Sequence, residues 1–377
     1  MDLSQAVDID MDFDLPPGLS LFPFQKAGVA YAQQTGNVLI ADEMGLGKTV
    51  QGLVTVKMDD QFPVVVICPA SLKRNWEREA HKWLPGKRIA VLNGDVYRLV
   101  HLGGQPAFDV VIVNYNSRIL SKWKAHLVDL KPKAIIMDEA HNCKNPKAQQ
   151  TELVEDILTE TQARVVMLNG TPVVNRPMEF WQLVKMLGHA RTLGGFNAYK
   201  ARYANGSVKA LHELNTRCRT HFMVRRLKAD VLKELPPKMY STVPLEITNR
   251  AEYQAAEEDI AGYFANRKAN DESFLTDVRR QAETRGLSGA ERATFIERAK
   301  REHFNASYQI ASHSEQLLRW EALKQLSVSG KLAAVIEWIE EFLKNSDQKL
   351  VVFVSHTQVG HTIAGKFVAD FIHGGVA

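Results

Sequence analysis

Five short runs of mostly apolar residues recur between residues 38 and 169, and they are rich in valine and isoleucine. Their residues do not alternate between apolar and polar, which is typical of strands buried on both faces of a parallel sheet. The intervals between the runs contain helical candidates, for example residues 71–83 and 146–160. Strands that alternate with helices predict an α/β fold with a doubly wound sheet. The runs are VLIA (38–41), VVVIC (64–68), VVIV (110–113), AIIM (134–137) and VVML (165–168).

Polar or glycine-rich residues follow each of these runs directly. In open α/β sheets, ligands bind beyond the carboxyl ends of the strands. The carboxyl ends of parallel strands lie at one edge of the sheet, so we expect the following segments to lie close together there. They therefore predict a ligand site at that edge. The segments are DEMGLGKT, PAS, NYNSR, DEAH and NGTP.

The segment after the first run is similar to a phosphate-binding loop. It departs from the strict G-x-x-x-x-G-K-[ST] pattern, because Asp42 stands where the first glycine is expected. Gly45 and Gly47 permit the positive φ values and close backbone approach that a phosphate requires. Lys48 would reach the β and γ phosphates, and Thr49 would offer its hydroxyl to Mg²⁺. The alternative, a glycine turn that only caps a helix, is weakened by the strand–loop–helix context.

Two adjacent carboxylates follow the fourth run. Asp138 can anchor Mg²⁺, and Glu139 is placed to orient or deprotonate the attacking water. Taken alone, this sequence could also be the exposed start of a helix. Together with Lys48, which follows a different predicted strand, it predicts hydrolysis of a nucleoside triphosphate.

Three of these segments, DEMGLGKT, DEAHNCKN and NGTPVVNRPMEF, together resemble the Swi/Snf-type ATPases, helicase-like double-stranded-DNA translocases of superfamily two. The resemblance covers residues 15–240 well and residues 315–360 more loosely, and the annealing-helicase and bacterial or phage members are the most similar. It implies a P-loop RecA-like parallel sheet with flanking helices, and ATP with Mg²⁺ as cofactors. In this family Asp42 is the expected residue at the start of the loop, and we expect it to bind the nucleotide together with Gly45, Gly47, Lys48 and Thr49. Further similar segments are LFPFQKAGVAY (21–31), VICPASLKRNWEREAHKW, VNYNSR and FMVRRLKADVLKELPPK (222–238).

The resemblance also assigns roles around the nucleotide. Gln25 would contact the adenine edge, although it could instead be a polar residue on an amphipathic helix. His141, Gly170 and Thr171 would couple hydrolysis to movement. Asn169 departs from the threonine or serine that usually precedes GTP in this family. Because asparagine can still donate and accept hydrogen bonds, we expect the coupling to survive.

The partner that the resemblance implies is double-stranded DNA held by its phosphates. Candidate contacts are Ser71 and Lys73 after the second strand, Asn116 and Arg118 after the third, and Thr171. Contacts to the DNA backbone suit a motor that must move along any sequence. Each candidate has an alternative: Ser71 can cap a helix, and Lys73 can simply be solvated.

A basic segment precedes the end of this resemblance. Residues 201–240 hold nine lysines and arginines against three acidic residues, whereas the whole chain carries a net charge of only +4. Within this segment, Arg225, Arg226 and Lys228 either brace the junction between lobes or contact DNA, and the sequence does not decide between these roles.

Two tryptophans, Trp76 and Trp83, lie seven residues apart on one predicted helix. A translocase that holds paired strands needs no platform for base stacking. We therefore expect both side chains to face the core.

The sequence predicts four regions. We interpret the segment that begins at Ser329-Gly330 as the start of a capped amphipathic helix. LVVFV (350–354) follows it, and we interpret this run as a new buried strand that opens a second lobe. The preceding helical insertion is rich in charges. The regions are an acidic N-terminal segment (1–20), a RecA-like ATP-binding lobe 1 (21–240), a helical connector or protrusion (241–328) and an incomplete start of a RecA-like lobe 2 (329–377).

Motifs V and VI of this family, which carry its arginine fingers, have no counterpart in the chain. Arginine fingers contribute about 10³- to 10⁵-fold to turnover in other phosphoryl-transfer enzymes. We therefore expect this chain alone to hydrolyse ATP weakly or not at all. A second chain or a further C-terminal region would supply the rest of lobe 2.

Other classes of protein are disfavoured. No apolar run approaches the roughly 20 residues that cross a bilayer, so we expect no membrane partner. The three cysteines lack metal-ligand spacing and cannot form a disulfide framework. An intracellular location follows, either the nucleoid-associated cytoplasm of a bacterial or phage protein or the nucleus of a eukaryotic one. Two alternative functions remain: a non-catalytic module that binds ATP or DNA, and a helicase directed to RNA or single-stranded DNA.

Overall fold

A computed structural model of the chain describes residues 11–93, 106–170, 177–236, 238–312 and 315–372, together with Ser4, Ala6, Asp8 and Ile9. The chain divides into two compact units, Met1–Pro237 and Lys238–Ala377. The sequence predicted a boundary after residue 240, close to this division. Within the described ranges, none of the helices has the length and apolar character needed to cross a membrane.

The first unit is built around a seven-stranded sheet whose paired neighbours are all parallel. The order of strands across the sheet is β3-β4-β2-β5-β6-β1-β7. The predicted α/β fold and its five strands are confirmed. Two short strands, β3 and β7, were not predicted. The strands are β1 (Val38–Ile40), β2 (Val64–Cys68), β3 (Ile89–Val91), β4 (Val110–Asn114), β5 (Ala134–Asp138), β6 (Arg164–Leu168) and β7 (Met223–Val224).

Helices cover both faces of this sheet, which explains the unalternating apolar runs. In β2, Val65 and Ile67 belong to the hydrophobic cluster on one face. Val64, Val66 and Cys68 belong to the cluster on the other face. The helices of this unit are α1 (Pro23–Thr35), α2 (Lys48–Met58), α3 (Lys73–Trp83), α4 (Ser117–Asp129), α5 (Gln149–Thr161), α6 (Pro177–Met186), α7 (Gly195–Tyr203), α8 (Val208–His221) and α9 (Lys228–Val231).

The two tryptophans of α3 face the core, as predicted. Trp76 is fully buried and Trp83 nearly so, and both lie in the cluster that includes residues of α2. No face of these rings is available for a stacked base.

The second unit is helical in its described part. Its core is formed by α10, α11 and α14, whose buried residues include Ala256, Ile260 and Leu326. The helices are α10 (Arg250–Glu258), α11 (Ile260–Ala269), α12 (Glu272–Thr284), α13 (Gly289–Ser312), α14 (Glu315–Asn345) and α15 (Thr357–Phe367).

The predicted boundary between residues 328 and 329 does not separate two elements, because α14 runs across it. Gly330 lies inside this helix, where the segment before α10 crosses closely. Its carbonyl oxygen accepts a hydrogen bond from the backbone N–H of Thr248 at 3.1 Å. The Asn249 side chain donates to the carbonyl oxygen of Leu326 at 3.0 Å, and it fills the space that a side chain at position 330 would need. Ser329–Gly330 therefore marks the place where the segment before α10 approaches α14 closely, and not the start of a helix.

The prediction of a buried strand at residues 350–354 is wrong. The segment pairs with no other strand among the described residues; Val351, Val352 and Phe353 are exposed, and Leu350 and Val354 are half-buried. Phe353 is 92% exposed and Val351 is 73% exposed. A β-strand is stabilised by ladder hydrogen bonds to a neighbour, which this part of the structure does not supply. Apolar composition alone was therefore an insufficient signal.

The three cysteines are buried free thiols, and burial raises the pKa of each thiol to about 12. The reactive species is the thiolate, so at pH 8 its fraction should be roughly a thousandfold below that of an exposed cysteine. We predict that Cys68, Cys143 and Cys218 react very slowly with a disulfide reagent in the native chain and rapidly in urea. Fast reaction of any one thiol in the native state would show that its site opens to solvent.

Candidate functional site

The described parts of the predicted polar segments lie at one edge of the sheet, beyond the carboxyl ends of parallel strands. The strand β1 leads into the loop before α2, and its neighbours β6 and β7 end beside it. The strand β5, which ends at Asp138, is the next strand along from β6. The loop at residues 42–47 and the pair Asp138–Glu139 thus face the same side of the sheet.

The loop before α2 has the backbone of a phosphate cradle. Gly45 and Gly47 have φ values of 82° and 72°, in the left-handed region that glycine adopts without strain. Gly47 is also the residue that precedes the first turn of α2, and no side chain caps that helix end. The N–H groups of the first turn therefore remain available to an anion, which the helix dipole also favours.

Lys48 is held against this loop. Its Nζ donates to the backbone oxygens of Asp42 at 3.0 Å and Glu43 at 3.4 Å. Burial lowers the pKa of the Lys48 ammonium, and the nearby charges of Glu139, Asp42 and Asp138 oppose that shift. Two neutral carbonyl oxygens are weak partners for a half-buried cation, so a polyphosphate would compete for the Lys48 ammonium effectively.

The sequence did not predict the surroundings of the Asp42 side chain. Its carboxylate is fully buried and forms a salt bridge with Arg226, with Oδ2 lying 2.6 Å from Nη2. Oδ2 also accepts from Gln51 Nε2 at 2.9 Å. The Asp42 carboxylate thus lies away from the phosphate cradle and ties the start of the loop to the segment after β7. Only its backbone oxygen contacts Lys48, which corrects the expectation of a direct role in binding the nucleotide.

Gln25 is buried beneath the same loop. Its Nε2 donates to the Leu46 carbonyl oxygen at 3.2 Å, and its Oε1 accepts from the Phe22 backbone N–H at 3.0 Å. The side chain also fills the space beside Gly47 that a Cβ would occupy. Gln25 therefore supports the loop, and a contact with adenine would have to replace or share one of these hydrogen bonds.

Asp138 and Glu139 stand at the end of β5. Asp138 is nearly buried, and burial raises the pKa of its carboxyl, while a hydrogen bond from the Trp76 indole opposes that shift. Glu139 has a φ of 48°, an uncommon value for a residue with a side chain. Strained backbone of this kind tends to occur at functional sites. The Glu139 side chain remains partly exposed, as a base that must reach water requires.

A chain of polar contacts joins Glu139 to the end of β6. His141 Nδ1 lies 3.2 Å from Glu139 Oε2 and 3.3 Å from Asn169 Oδ1. Gly170 follows Asn169 and approaches the loop so closely that a Cβ there would lie 3.2 Å from Lys48 Nζ. His141 thus contacts Glu139 and Asn169, and Gly170 approaches the loop. Their role as coupling residues stays a prediction. Thr171 lies outside the described residues.

The candidate DNA contacts at the second strand differ in availability. Ser71 lies exposed in the short 3-10 helix at Ala70–Leu72. Lys73 Nζ donates to Asn93 Oδ1 at 2.6 Å and to the Leu92 carbonyl oxygen at 3.2 Å. Lys73 is thus neither freely solvated nor free to follow a phosphate without breaking these bonds.

The two candidate DNA contacts after β4 also differ in availability. Asn116 caps α4, because its Oδ1 accepts from the backbone N–H groups of Arg118 at 3.0 Å and Ile119 at 3.3 Å. Its role in starting the helix is therefore established by geometry. The Arg118 side chain is exposed at the first turn of α4.

The basic cluster after β7 contributes to the interior of the first unit. Arg226 is buried on Asp42. Arg225 Nη1 donates to the carbonyl oxygens of Ala41 at 2.8 Å and Gly170 at 3.0 Å, so it joins the ends of β1 and β6. The two arginines thus brace the nucleotide side of the unit, and Arg226 has no exposed surface for DNA.

These residues fit a magnesium nucleotide. Mg²⁺ usually keeps water ligands and takes only one or two protein ligands together with the phosphates. Thr49 at the start of α2 and Asp138 supply that number, and the cradle and Lys48 supply the phosphate contacts. Within the described ranges, no group of three or more His, Cys, Asp or Glu side chains is arranged to hold a metal by itself.

Several supporting residues were missed by sequence reasoning. Arg226 and Gln51 complete the Asp42 network, and Trp76 and Tyr115 donate hydrogen bonds to Asp138. The partners in each pair lie on separate elements, and no local spacing marks them. The only available signal was a buried aspartate that needs a cationic partner.

Comparisons with known proteins agree with this geometry. A family model described as SNF2-related domain matches residues 24–293. A Caenorhabditis elegans protein, the SWI/SNF-related matrix-associated actin-dependent regulator of chromatin subfamily A-like protein 1 homolog, is 32% identical over 254 residues, which cover 63% of this chain and 36% of that protein. The human DNA annealing helicase and endonuclease ZRANB3 is 30% identical over 268 residues, which cover 64% of this chain and 24% of that protein.

A solved structure has the same fold. The Sulfolobus solfataricus SWI2/SNF2 ATPase core in complex with dsDNA aligns with a TM-score of 0.51 and 24% identity, covering 95% of this chain and 71% of that one. The matched part of the chain spans only 36% of the length of the first relative and 24% of the length of the second.

Proposed function

The chain belongs to the SNF2-related domain family, and we propose that it forms the ATP-binding lobe of an ATP-dependent double-stranded-DNA translocase. The observation that carries this proposal is the meeting of the glycine cradle, Lys48 and the Asp138–Glu139 pair at one edge of a parallel sheet. This arrangement supports binding and hydrolysis of a nucleoside triphosphate.

Each residue of the site has a role in this proposal. The backbone N–H groups at Gly45, Gly47 and the first turn of α2 hold the phosphates, and the Lys48 ammonium leaves the loop carbonyls for them. Thr49 and Asp138 hold Mg²⁺, which neutralises charge on the phosphates when it is bound. Gln25 supports the loop and contacts adenine. Asp42 keeps the loop in shape through Arg226.

Glu139 orients and deprotonates the attacking water. Its contact with His141 places the imidazole between Glu139 and Asn169. A shift of the end of β6 would move Asn169 and, through His141, change the contact with Glu139. On this basis we propose that His141, Gly170 and Thr171 couple hydrolysis to movement.

The proposed polymer is double-stranded DNA, contacted through its phosphates. Ser71 and Arg118 are exposed and offer a hydroxyl and a guanidinium. Lys73 and Asn116 contribute less directly, because the Lys73 ammonium and the Asn116 Oδ1 already have partners within the protein. The structural neighbour with bound dsDNA supports the choice of a duplex. The protein would work where genomic DNA is, in a nucleus or a bacterial nucleoid.

The arginines that complete catalysis would come from a second RecA-like lobe, in another chain or in further sequence. We therefore propose strong turnover only when both lobes are present. Weak or absent hydrolysis by the 377-residue chain alone fits the proposal, provided that the chain binds MgATP.

The test compares ATP hydrolysis in the presence of duplex DNA, single-stranded DNA and RNA at one salt concentration, in protein that has both lobes. We expect the largest stimulation by duplex DNA and a fall in DNA affinity with rising salt. Stimulation by RNA alone would overturn the choice of polymer. Nucleotide binding without hydrolysis on any polymer would favour a non-catalytic binding module.

A further inference from the structure

Asp138 is held at three atoms by neighbouring groups. Its Oδ2 accepts from the Trp76 indole N–H at 2.8 Å, and its Oδ1 accepts from the Glu139 backbone N–H at 3.0 Å. Its carbonyl oxygen accepts from the Tyr115 hydroxyl at 2.8 Å. The carboxylate and the end of β5 therefore have a defined orientation before any ligand arrives.

The two aromatic donors reach Asp138 from opposite faces of the sheet. Trp76, on α3, belongs to the cluster that contains Ala134 and Ile136 of β5. Tyr115, after β4, belongs to the cluster that contains Ile135 and Met137. Both side chains are buried, so their positions are determined by packing that extends well beyond Asp138.

A buried tryptophan usually finds a partner for its N–H, so the bond alone does not establish a role. Trp83 shows the ordinary solution, because its indole donates to Glu79 within its own helix at 3.1 Å. Trp76 instead donates across the fold to the carboxylate of the β5 end. Its bond therefore orients the one carboxylate that the proposed site requires for Mg²⁺.

We propose that Trp76 and Tyr115 are positioning residues that hold Asp138 ready to bind a magnesium nucleotide. This inference rests on the proposed function of the site and adds two residues to it. The Trp76 N–H occupies one lone pair of the Asp138 carboxylate and leaves the others for the ion and its water ligands, whereas the Tyr115 hydroxyl fixes the backbone carbonyl oxygen. A carboxylate fixed in advance loses less conformational freedom when the ion binds. Removing such supporting hydrogen bonds typically weakens metal binding about 10- to 100-fold.

The test measures the Mg²⁺ requirement for nucleotide binding in the 377-residue chain. The probe is an ATP analogue with a directly excited fluorescent group, and its anisotropy is followed during a MgCl₂ titration. We expect Trp76→Phe to raise the half-saturating Mg²⁺ concentration about tenfold. Tyr115→Phe should shift it in the same direction by less, because its bond is to the backbone. Binding of the nucleotide in EDTA should not change.

Trp83→Phe is the matched control, since it removes the same group from the same helix at similar burial. An equal shift in Trp76→Phe and Trp83→Phe would mean that packing alone is responsible, and it would overturn the inference. If Trp76→Phe does not fold, Tyr115→Phe decides the question, because it removes only a hydroxyl. An unchanged Mg²⁺ requirement in Tyr115→Phe would then overturn the inference.

Asp138→Asn separates this inference from the proposed function. If that change leaves the Mg²⁺ requirement unaltered, the assignment of Asp138 to the ion is wrong, and the inference fails with it. If Asp138→Asn raises the requirement while the Trp76 and Tyr115 variants do not, only the inference fails.

Discussion

Replacing Glu139 with glutamine is expected to lower ATP turnover roughly 100- to 10,000-fold, the range that loss of a general base produces. Glutamine keeps the size of the side chain and its ability to accept a hydrogen bond from His141. It cannot take a proton from water. Nucleotide binding should therefore remain unchanged, because the phosphate cradle and Lys48 are intact. The measurement is phosphate release at saturating MgATP and duplex DNA in protein with both lobes, together with nucleotide binding to this chain.

Glu155→Gln is the matched control for this change. The Glu155 side chain is 23% exposed against 24% for Glu139, and it is also paired, with Lys185 Nζ at 2.7 Å. Its loss removes one charge from the same unit but nothing from the site. Turnover should stay near that of the unaltered protein. If Glu139→Gln hydrolyses ATP as fast as Glu155→Gln does, Glu139 is not the base.

The first unit could be predicted from sequence because its strands are buried on both faces. A strand that is covered by helices on both faces of the sheet appears in the sequence as an uninterrupted apolar run. The strand β2 is an example, because its residues belong to the hydrophobic clusters on both faces. The strand β3 is only half-buried and three residues long, and β7 has two residues. Two residues carry no periodicity, so no pattern could reveal β7. Length alone does not explain why β3 was missed, because β1 is also three residues long; β1 differs from β3 in being fully buried.

The phosphate cradle and the Asp138–Glu139 pair were predictable because their chemistry requires particular residue types next to strand ends. The role of Asp42 was not predictable in the same way. Its identity matched the family, but its partner, Arg226, is 184 positions away. Asp42 and Arg226 meet because the sheet order places β7 beside β1. That order could not be inferred from the sequence.

The second unit shows where composition misleads. Residues 350–354 have the apolar, β-branched character of a buried strand, yet none is fully buried, the middle three are exposed, and the segment is unpaired in the part of the chain that the structure describes. Strand formation depends on a neighbour as well as on composition. The Ser329–Gly330 pair was interpreted as a helix start, whereas the missing side chain allows Asn249 to approach α14.

Replacing Arg226 with methionine is expected to lower the free energy of unfolding of the first unit by about 3–5 kcal/mol, the cost of leaving one charge of a buried pair without its partner. Arg226 and Asp42 side chains are 2% and 0% exposed. Arg226 also donates to Gln51 Oε1 at 3.1 Å and to the Phe24 carbonyl oxygen. Methionine retains the apolar stem but leaves these acceptors and the Asp42 carboxylate without a donor. Urea unfolding, followed by the fluorescence of the buried tryptophans, measures the change.

Two comparisons identify the buried charge as the cause. Arg164→Met breaks a pair with Asp59 whose side chains are 14% and 22% exposed, and its smaller burial predicts a smaller loss of stability. Adding Asp42→Asn to Arg226→Met removes the unpaired charge, so the double variant should be more stable than Arg226→Met alone. If the double variant is no more stable, the loss comes from packing. In that case Asp42 does not depend on Arg226 to hold the start of the phosphate loop, and the loop owes its shape to Gln25, Gln51 and the backbone.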